Sequence, residues 1–268
     1  NVCILKILKQ NGVQMRTRSA AARIYELNES YFEQINTPEK AYFLGFIYAE
    51  GHLEKDGKNT LTIGLQYGDK YILEYLRQAL GSNRPLEFRN RQKDTWDDVS
   101  VLRISSLKLT NDIQKLGVPL GHKSYILTFP NFLDKSLIKY FIHGYMDGDG
   151  GIYFYDNRPN HFRIGFFGCP GFINGLQHNI DDILNIYGRI GIIKDTLVNY
   201  YISGKQDGLT FLNWLYTNPS PIFMKRKYDK FKECVNWNLN THLTRTRKSP
   251  SNIIELSQKS LEIIHSHQ

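Results

Sequence analysis

Apolar and polar positions follow two rhythms along this chain, and the same succession of rhythms occurs twice. Thr37-Pro38-Glu39 is a strong helix start, with Thr as cap, Pro at the first helical position and an acid in the first turn. The apolar helix that follows stops at Gly51. Leu61 to Tyr67 alternates as a strand does, Tyr71 to Leu80 is an amphipathic helix ending at Gly81, and Leu86–Arg89 and Ser100–Ile104 predict two further strands. A helix from about Leu107 to Leu116 closes at Gly117. The second half runs in the same order. Asp134 or Ser136 caps a helix ending at Gly150, and Ile152–Tyr155 and Phe162–Phe167 are strands. A helix around Phe172–Ile186, strands near Arg189–Lys194 and Asn199–Ile202, and a helix from about Gly208 to Tyr216 complete it. Each half is therefore α-β-β-α-β-β-α.

Local echoes set the register of the duplication. Ile63-Gly64-Leu65 matches Ile164-Gly165-Phe166, and Arg103-Ile104-Ser105 matches Tyr201-Ile202-Ser203. The most informative pair is Phe43-Leu44-Gly45-Phe46-Ile47-Tyr48-Ala49-Glu50-Gly51 and Ile142-His143-Gly144-Tyr145-Met146-Asp147-Gly148-Asp149-Gly150. Each is an apolar helix with a central glycine that ends in an acid followed by glycine, and the two acids stand 99 positions apart (149 − 50). A fixed period of this kind is the mark of an internal repeat. One acid per copy can bring two carboxylates together at a pseudo-twofold axis, an arrangement that holds a divalent metal. An acid at a helix C-terminus opposes the helix dipole and is costly without a cation. The expected divisions are 1–36 (a helical and basic extension, a possible helix-turn-helix remnant), 37–130 and 131–235 (the two halves), and 236–268 (a C-terminal extension).

Composition narrows the function class. With 41% hydrophobic and 13% aromatic residues the chain is globular. No apolar run reaches membrane-spanning length, so no membrane partner is expected. Because the first residue is Asn and not Met, the sequence is expected to be a fragment or a processed product. Three cysteines (Cys3, Cys169, Cys234) lie far apart without ligand spacing, which fits a reducing, intracellular setting and neither a zinc site nor a disulfide framework. Net charge is +8, with basic residues concentrated in Arg84–Arg103 and Lys225–Lys232 and aromatics interleaved among the former. That distribution points to a polyanionic partner.

The two motif stretches resemble the signature helix of LAGLIDADG homing endonucleases, and the resemblance to the two-motif, single-chain form is close. The resemblance covers roughly 38–235. It implies an α+β fold of two pseudo-twofold halves, with two concave antiparallel sheets forming a DNA-binding saddle and two central packed helices. Small residues permit close helix crossing, so Gly45, Ala49, Gly144 and Gly148 are expected at the helix interface. Glu50 and Asp149, with Gly51 and Gly150 beside them, are the expected metal-site residues. The metal would be Mg²⁺ or another hard divalent cation, which prefers carboxylate, water and phosphate oxygens. The resemblance also implies active-site roles for Gln66, with Phe167 as its counterpart, and for Lys123 and Lys227. Asp147 has no matching acid in the first copy and is expected to be a helix-end or core polar residue, and His143 sits where the motif has something small. DNA contacts are expected from Arg16, Arg18, Arg89, Arg91, Arg103, Tyr153, Tyr155, Arg158, Arg163, Lys194, Tyr201, Lys225 and Arg226. The implied activity is site-specific hydrolysis of double-stranded DNA by a monomer, at an asymmetric target. An RNA-binding intron maturase and a non-cutting DNA-binding regulator are the alternatives on the same scaffold.

Overall fold

The structure is a computed structural model that describes residues 7, 10–12, 24–55, 57–90, 98–123, 125–155, 161–244 and 251–267. The first half comprises α1 (Pro38–Glu50), β1 (His52–Leu53), β2 (Thr60–Gln66), α2 (Lys70–Ala79), β3 (Glu87–Arg89), β4 (Val99–Ser105) and α3 (Leu107–Lys115). The second comprises α4 (Lys135–Asp149), β5 (Gly150–Phe154), β6 (Phe162–Gly168), α5 (Pro170–Leu184), β7 (Arg189–Lys194), β8 (Leu197–Ser203) and α6 (Lys205–Tyr216). Two more helices follow, α7 (Lys225–Thr244) and α8 (Ser251–His265). The α-β-β-α-β-β-α order of each half is the expected one. Each half forms a four-stranded antiparallel sheet, in the orders β1-β2-β4-β3 and β5-β6-β8-β7.

Local chemistry explains the element ends. The Thr37 hydroxyl accepts from the Lys40 amide (3.2 Å) ahead of Pro38, and Asp134 accepts from the Ser136 amide (2.8 Å) at the start of α4. From Ala41 to Ala49 every residue of α1 is buried. A helix apolar all round belongs in the centre of a domain, and α1 lies there against α4. Strand alternation sends Leu61, Ile63, Leu65, Leu102 and Ile104 into the core beneath the first sheet, and Ile164, Phe166, Tyr200 and Ile202 beneath the second.

What lets α1 and α4 meet is the absence of side chains at the crossing. A Cβ placed on Gly45 would fall on the carbonyl oxygen of Phe141, and one on Gly144 on the carbonyl oxygen of Tyr42. A Cβ on Gly148 would overlap that of Ala49 and lie 3.1 Å from Cγ of Glu50. The contact is reciprocal, because Tyr42 and Phe141 occupy equivalent motif positions. His143 does not hold the helices apart. Its ring turns into a cage of Tyr42, Tyr216 and Phe223, where burial lowers its pKa to about 3 and leaves it neutral.

The strand ladders correct one detail of the repeat. Leu53 pairs with Leu61 and Leu61 with Ile104; Ile152 pairs with Ile164 and Ile164 with Ile202. The motif helices make Leu53 equivalent to Ile152, and the Arg103-Ile104-Ser105 echo makes Ile104 equivalent to Ile202. Leu61 therefore corresponds to Ile164, and the echo between Ile63-Gly64-Leu65 and Ile164-Gly165-Phe166 is two residues out. The counterpart of Gln66 is Cys169 and not Phe167. A slip of two keeps every side chain on its own face, so hydrophobic alternation could not reveal it.

Replacing Gly144 with Ala forces two helix backbones apart. We expect a loss of about 3 kcal/mol in urea unfolding. The control is Gly64→Ala, whose Cβ would meet only the Val99 and Val101 side chains at 3.5 and 3.7 Å. That change should stay within about 0.5 kcal/mol of the parent; equal effects of the two would contradict the crossing as the constraint.

Candidate active site and nucleic-acid interface

The crossing carries the C-terminal ends of α1 and α4 to one place, and with them Glu50 and Asp149. Glu50 is half-buried and Asp149 opens to solvent. Burial raises the Glu50 carboxyl above its usual range against the opposing charges of Lys123, Lys227 and Arg226. Asp149 is pushed up to about 6 by desolvation and then by the Glu50 charge beside it, opposed by Lys123 and Lys227. Solvent on its open side screens part of that push. Burial accounts for the shift of Glu50, and burial with a like charge beside it for that of Asp149; a cation would relieve both.

Two cations already sit behind the acids. The Lys123 ammonium donates to the carbonyl oxygens of Ile47 (3.1 Å) and Ala49 at the end of α1. At the end of α4 the Lys227 ammonium donates to the carbonyls of Met146 (2.6 Å), Asp147 (2.6 Å), Gly150 (2.7 Å) and Gly148 (3.3 Å). These carbonyls lie at or just beyond the helix C-termini, where the dipole favours positive charge, and those of Ile47 and Met146 also accept the amides of Gly51 and Gly150. The cost of an acid at each helix end is thus offset in part by a lysine of the protein itself. Burial pushes both ammonium groups down to about 8. An ammonium has three N–H donors, and carbonyls take all those of Lys227, which is 3% exposed. It acts on the site through its charge and not as a free phosphate clamp.

Gln66 lies exposed at the end of β2, and its amide donates to Asp69 Oδ2 (2.9 Å). The same oxygen accepts from Nε of Arg226 (2.8 Å), so Arg226 is pinned beside the Glu50 end of the site. Across the pseudo-axis Cys169 is buried, with its thiol turned to the Leu127 carbonyl (3.2 Å). Tyr145 sends its hydroxyl to the Phe167 carbonyl (2.7 Å) and into range of Asp149, while Phe46 at the equivalent position has no hydroxyl. A cavity of about 330 Å³ opens beside Asp149, lined by Lys123, Tyr125, Tyr145, Phe167, Lys194 and Thr196 among others. Sequence reasoning missed Asp69 and Tyr145. The one signal for Asp69 was its place three residues beyond Gln66, in the turn that follows β2.

Gly51 and Gly150 cap their helices with ordinary extended backbone, and a Cβ on either would press on the preceding turn at Ile47 or Met146. Among the described residues no three His, Cys, Asp or Glu side chains converge. Two carboxylates at a solvent-facing floor fit a hard divalent ion that takes its remaining oxygens from water and phosphate; they do not fit a closed structural metal.

The faces of the sheets turned away from the core differ between the halves. On the first, Arg103 is held by Glu54 (3.4 Å) and Glu87 (3.1 Å), and Glu87 also reaches Arg84 (3.5 Å) and Arg89 (3.6 Å). On the second, the Arg163 guanidinium lies over the rings of Tyr201 (4.7 Å), Tyr155 (5.5 Å) and Tyr153 (5.8 Å). Four of the expected DNA-facing residues are thereby brought into one cluster. Lys194 pairs with Leu197 beyond a bulge in β7, and Lys225 lies over the ring of Tyr71 (4.9 Å). Arg16, Arg18, Arg91 and Arg158 lie outside the described residues.

No family model matches the chain, and no curated protein matches it in sequence. Solved structures do. The I-LtrWI LAGLIDADG homing endonuclease bound to target DNA superposes with a TM-score of 0.53 at 15% identity, covering 87% of this chain and 98% of that one. The LAGLIDADG homing endonuclease I-GzeII in complex with its DNA target gives 0.53 at 14% identity, over 85% and 97%. I-SmaMI bound to uncleaved DNA target in the presence of calcium ions gives 0.50 at 14%, over 84% and 98%. What is shared at such identities is architecture, and the chain has the LAGLIDADG homing endonuclease fold with both motif helices in one polypeptide.

Proposed function

We propose that this protein is a divalent-metal-dependent endonuclease that cuts double-stranded DNA at a long, asymmetric site. One observation carries the reading. Two glycine-crossed helices deliver Glu50 and Asp149 to the junction between two sheets whose open faces carry arginine and tyrosine. The structures of similar fold with target DNA bound, among them I-SmaMI bound to cleaved DNA (TM-score 0.50), support the substrate class.

Glu50 and Asp149 would hold the metal, which supplies charge neutralisation at the phosphate and a lowered pKa for an attacking water. Lys123, with one N–H not committed to a carbonyl, is placed to stabilise negative charge developing on the phosphoryl oxygens. Lys227 fixes the end of α4 and so the direction of Asp149. The Gln66 amide, steadied by Asp69, is the candidate for ordering water on the Glu50 side. The corresponding residue of the second half is Cys169, which has no amide to offer, and Tyr145 and the cavity lie beside Asp149. Alternate strand residues would meet base edges in the major groove. There Arg163 offers a guanidinium fork preset by three rings, while the first sheet offers acids and arginines already paired with one another. Unequal halves suit a target that is not a palindrome.

Glu50→Gln and Asp149→Asn should each lower the cleavage rate in Mg²⁺ by more than about a hundredfold. Their dissociation constant for DNA should stay within about threefold, since phosphate contacts supply most of the affinity. Removing metal with a chelator should have the effect of either substitution; undiminished cutting by both variants would overturn the assignment.

The pH dependence of cleavage should be bell-shaped. Asp149, raised to about 6, takes up a proton as pH falls through that value, and metal affinity falls with it. Lys123 and Lys227, lowered to about 8, lose their charge as pH rises through that value. Because metal competes with the proton on Asp149, the acid limb should move to lower pH as metal concentration rises, while the alkaline limb stays in place. A rate profile whose acid limb ignores metal concentration would contradict this.

A further inference from the structure

Asp147 is wholly buried, and it is two positions from Asp149 on the same helix, so the two carboxylates point in nearly opposite directions. Its Oδ2 accepts two hydrogen bonds of 2.7 Å, one from the Tyr42 hydroxyl and one from the backbone N–H of Met224. Met224 stands immediately ahead of α7, and its own carbonyl accepts from the amides of Lys227 (3.0 Å) and Tyr228 (3.1 Å). A carboxylate at this place satisfies a donor at the helix N-terminus and lies at the positive end of the helix dipole. One turn further on, the Lys227 side chain reaches back to the carbonyls that end α4. The first half holds the same turn from the other side. The Tyr71 hydroxyl accepts from the Lys225 amide (2.6 Å), and Asp69 binds Arg226.

The equivalent position in α1 is Tyr48, whose hydroxyl donates to the Leu116 carbonyl (2.5 Å) where the chain leaves α3 on its way to Lys123. In both halves, then, the motif residue two before the acid grips the segment that brings in a lysine. The chemistry differs, a phenol to a carbonyl in one case and a carboxylate to an amide in the other. The destination is the same.

We propose that Asp147 is a positioning residue for Lys227: its carboxylate fastens the first turn of α7 to α4, so that the lysine ammonium lands on the carbonyls beside Asp149. This rests on Lys227 belonging to the active site, and the hydrogen bond to Met224 is the working part. Asp147→Asn keeps an acceptor oxygen for that bond and so keeps the turn fastened, although it removes the largest charge opposing the Lys227 ammonium and should fold with some loss of stability. Asp147→Leu keeps the volume and removes the acceptor.

The test reads the protection of Lys227 in the full chain without DNA or metal, by acetylation with an amine-reactive ester followed by peptide mass spectrometry. Lys227 should react slowly in the parent and in Asp147→Asn. In Asp147→Leu it should react at least about fivefold faster, as expected when a local contact opens, with Lys123 unchanged. In a single-turnover cleavage assay the leucine variant should be slower by about tenfold or more, with DNA affinity held, as expected for a displaced active-site group. The inference is overturned if a folded leucine variant protects Lys227 as the parent does, or if protection is lost equally at Lys123 and Lys227. Should the leucine variant not fold, the asparagine variant decides. Rapid acetylation of Lys227 there, with the acceptor retained, overturns the inference as well. Selective exposure of Lys227 in a protein that cuts no DNA would uphold the positioning role while removing the nuclease reading.

Discussion

Everything in this molecule depends on two helices touching backbone to backbone. A single methyl at Gly45 or Gly144 would sit on a carbonyl oxygen of the opposite helix, so the crossing distance is set by main chain and not by side-chain packing. That fixes where both helices end, and the ends carry Glu50 and Asp149. Gly148 adds to this, since it is the missing Cβ there that admits the Ala49 methyl and leaves room for the neighbouring Glu50 side chain. Close packing, which elsewhere stabilises a core, here also sets the spacing of two charged groups.

Bringing two carboxylates to two helix C-termini concentrates negative charge from side chains and backbone alike. Lys123 and Lys227 are the structural response to that concentration, each seated on the terminal carbonyls of one motif helix. From sequence alone such acids call for a cation, and a bound metal is the one candidate that motif spacing suggests. The lysines show that part of the requirement is met within the chain. The shifts of acids upward and lysines downward describe a site of partly desolvated charges that balance one another, and such sites are where catalytic groups are tuned.

The duplicated element order, the crossing glycines and the acid pair were legible in the sequence, because each rests on periodicity or on a residue type with few alternatives. The strand register was not. A two-residue displacement preserves the alternation that makes a strand readable, and only the pairing Leu53–Leu61–Ile104 against Ile152–Ile164–Ile202 shows that Gln66 answers to Cys169. The network of Gln66, Asp69 and Arg226 was also invisible, because 157 positions separate Asp69 from Arg226 and no period links them. For Asp147 the sequence predicts a helix-end or core polar residue, and its burial in the last turn of α4 agrees with that. What sequence could not supply was its partner, an amide at the start of a helix that had been seen only as a run of basic residues.

The two open sheet faces share one backbone plan and little else. On one, arginines are paired with acids; on the other, a single arginine rests among three tyrosines. Neither face contributes to the helix crossing, so substitutions on them leave the spacing of the acids untouched. The scaffold thereby separates what must stay constant from what can drift. Two sheet faces can diverge from a duplicated plan, one toward paired charges and the other toward rings, while the crossing between them and the acid spacing it sets are left as they were.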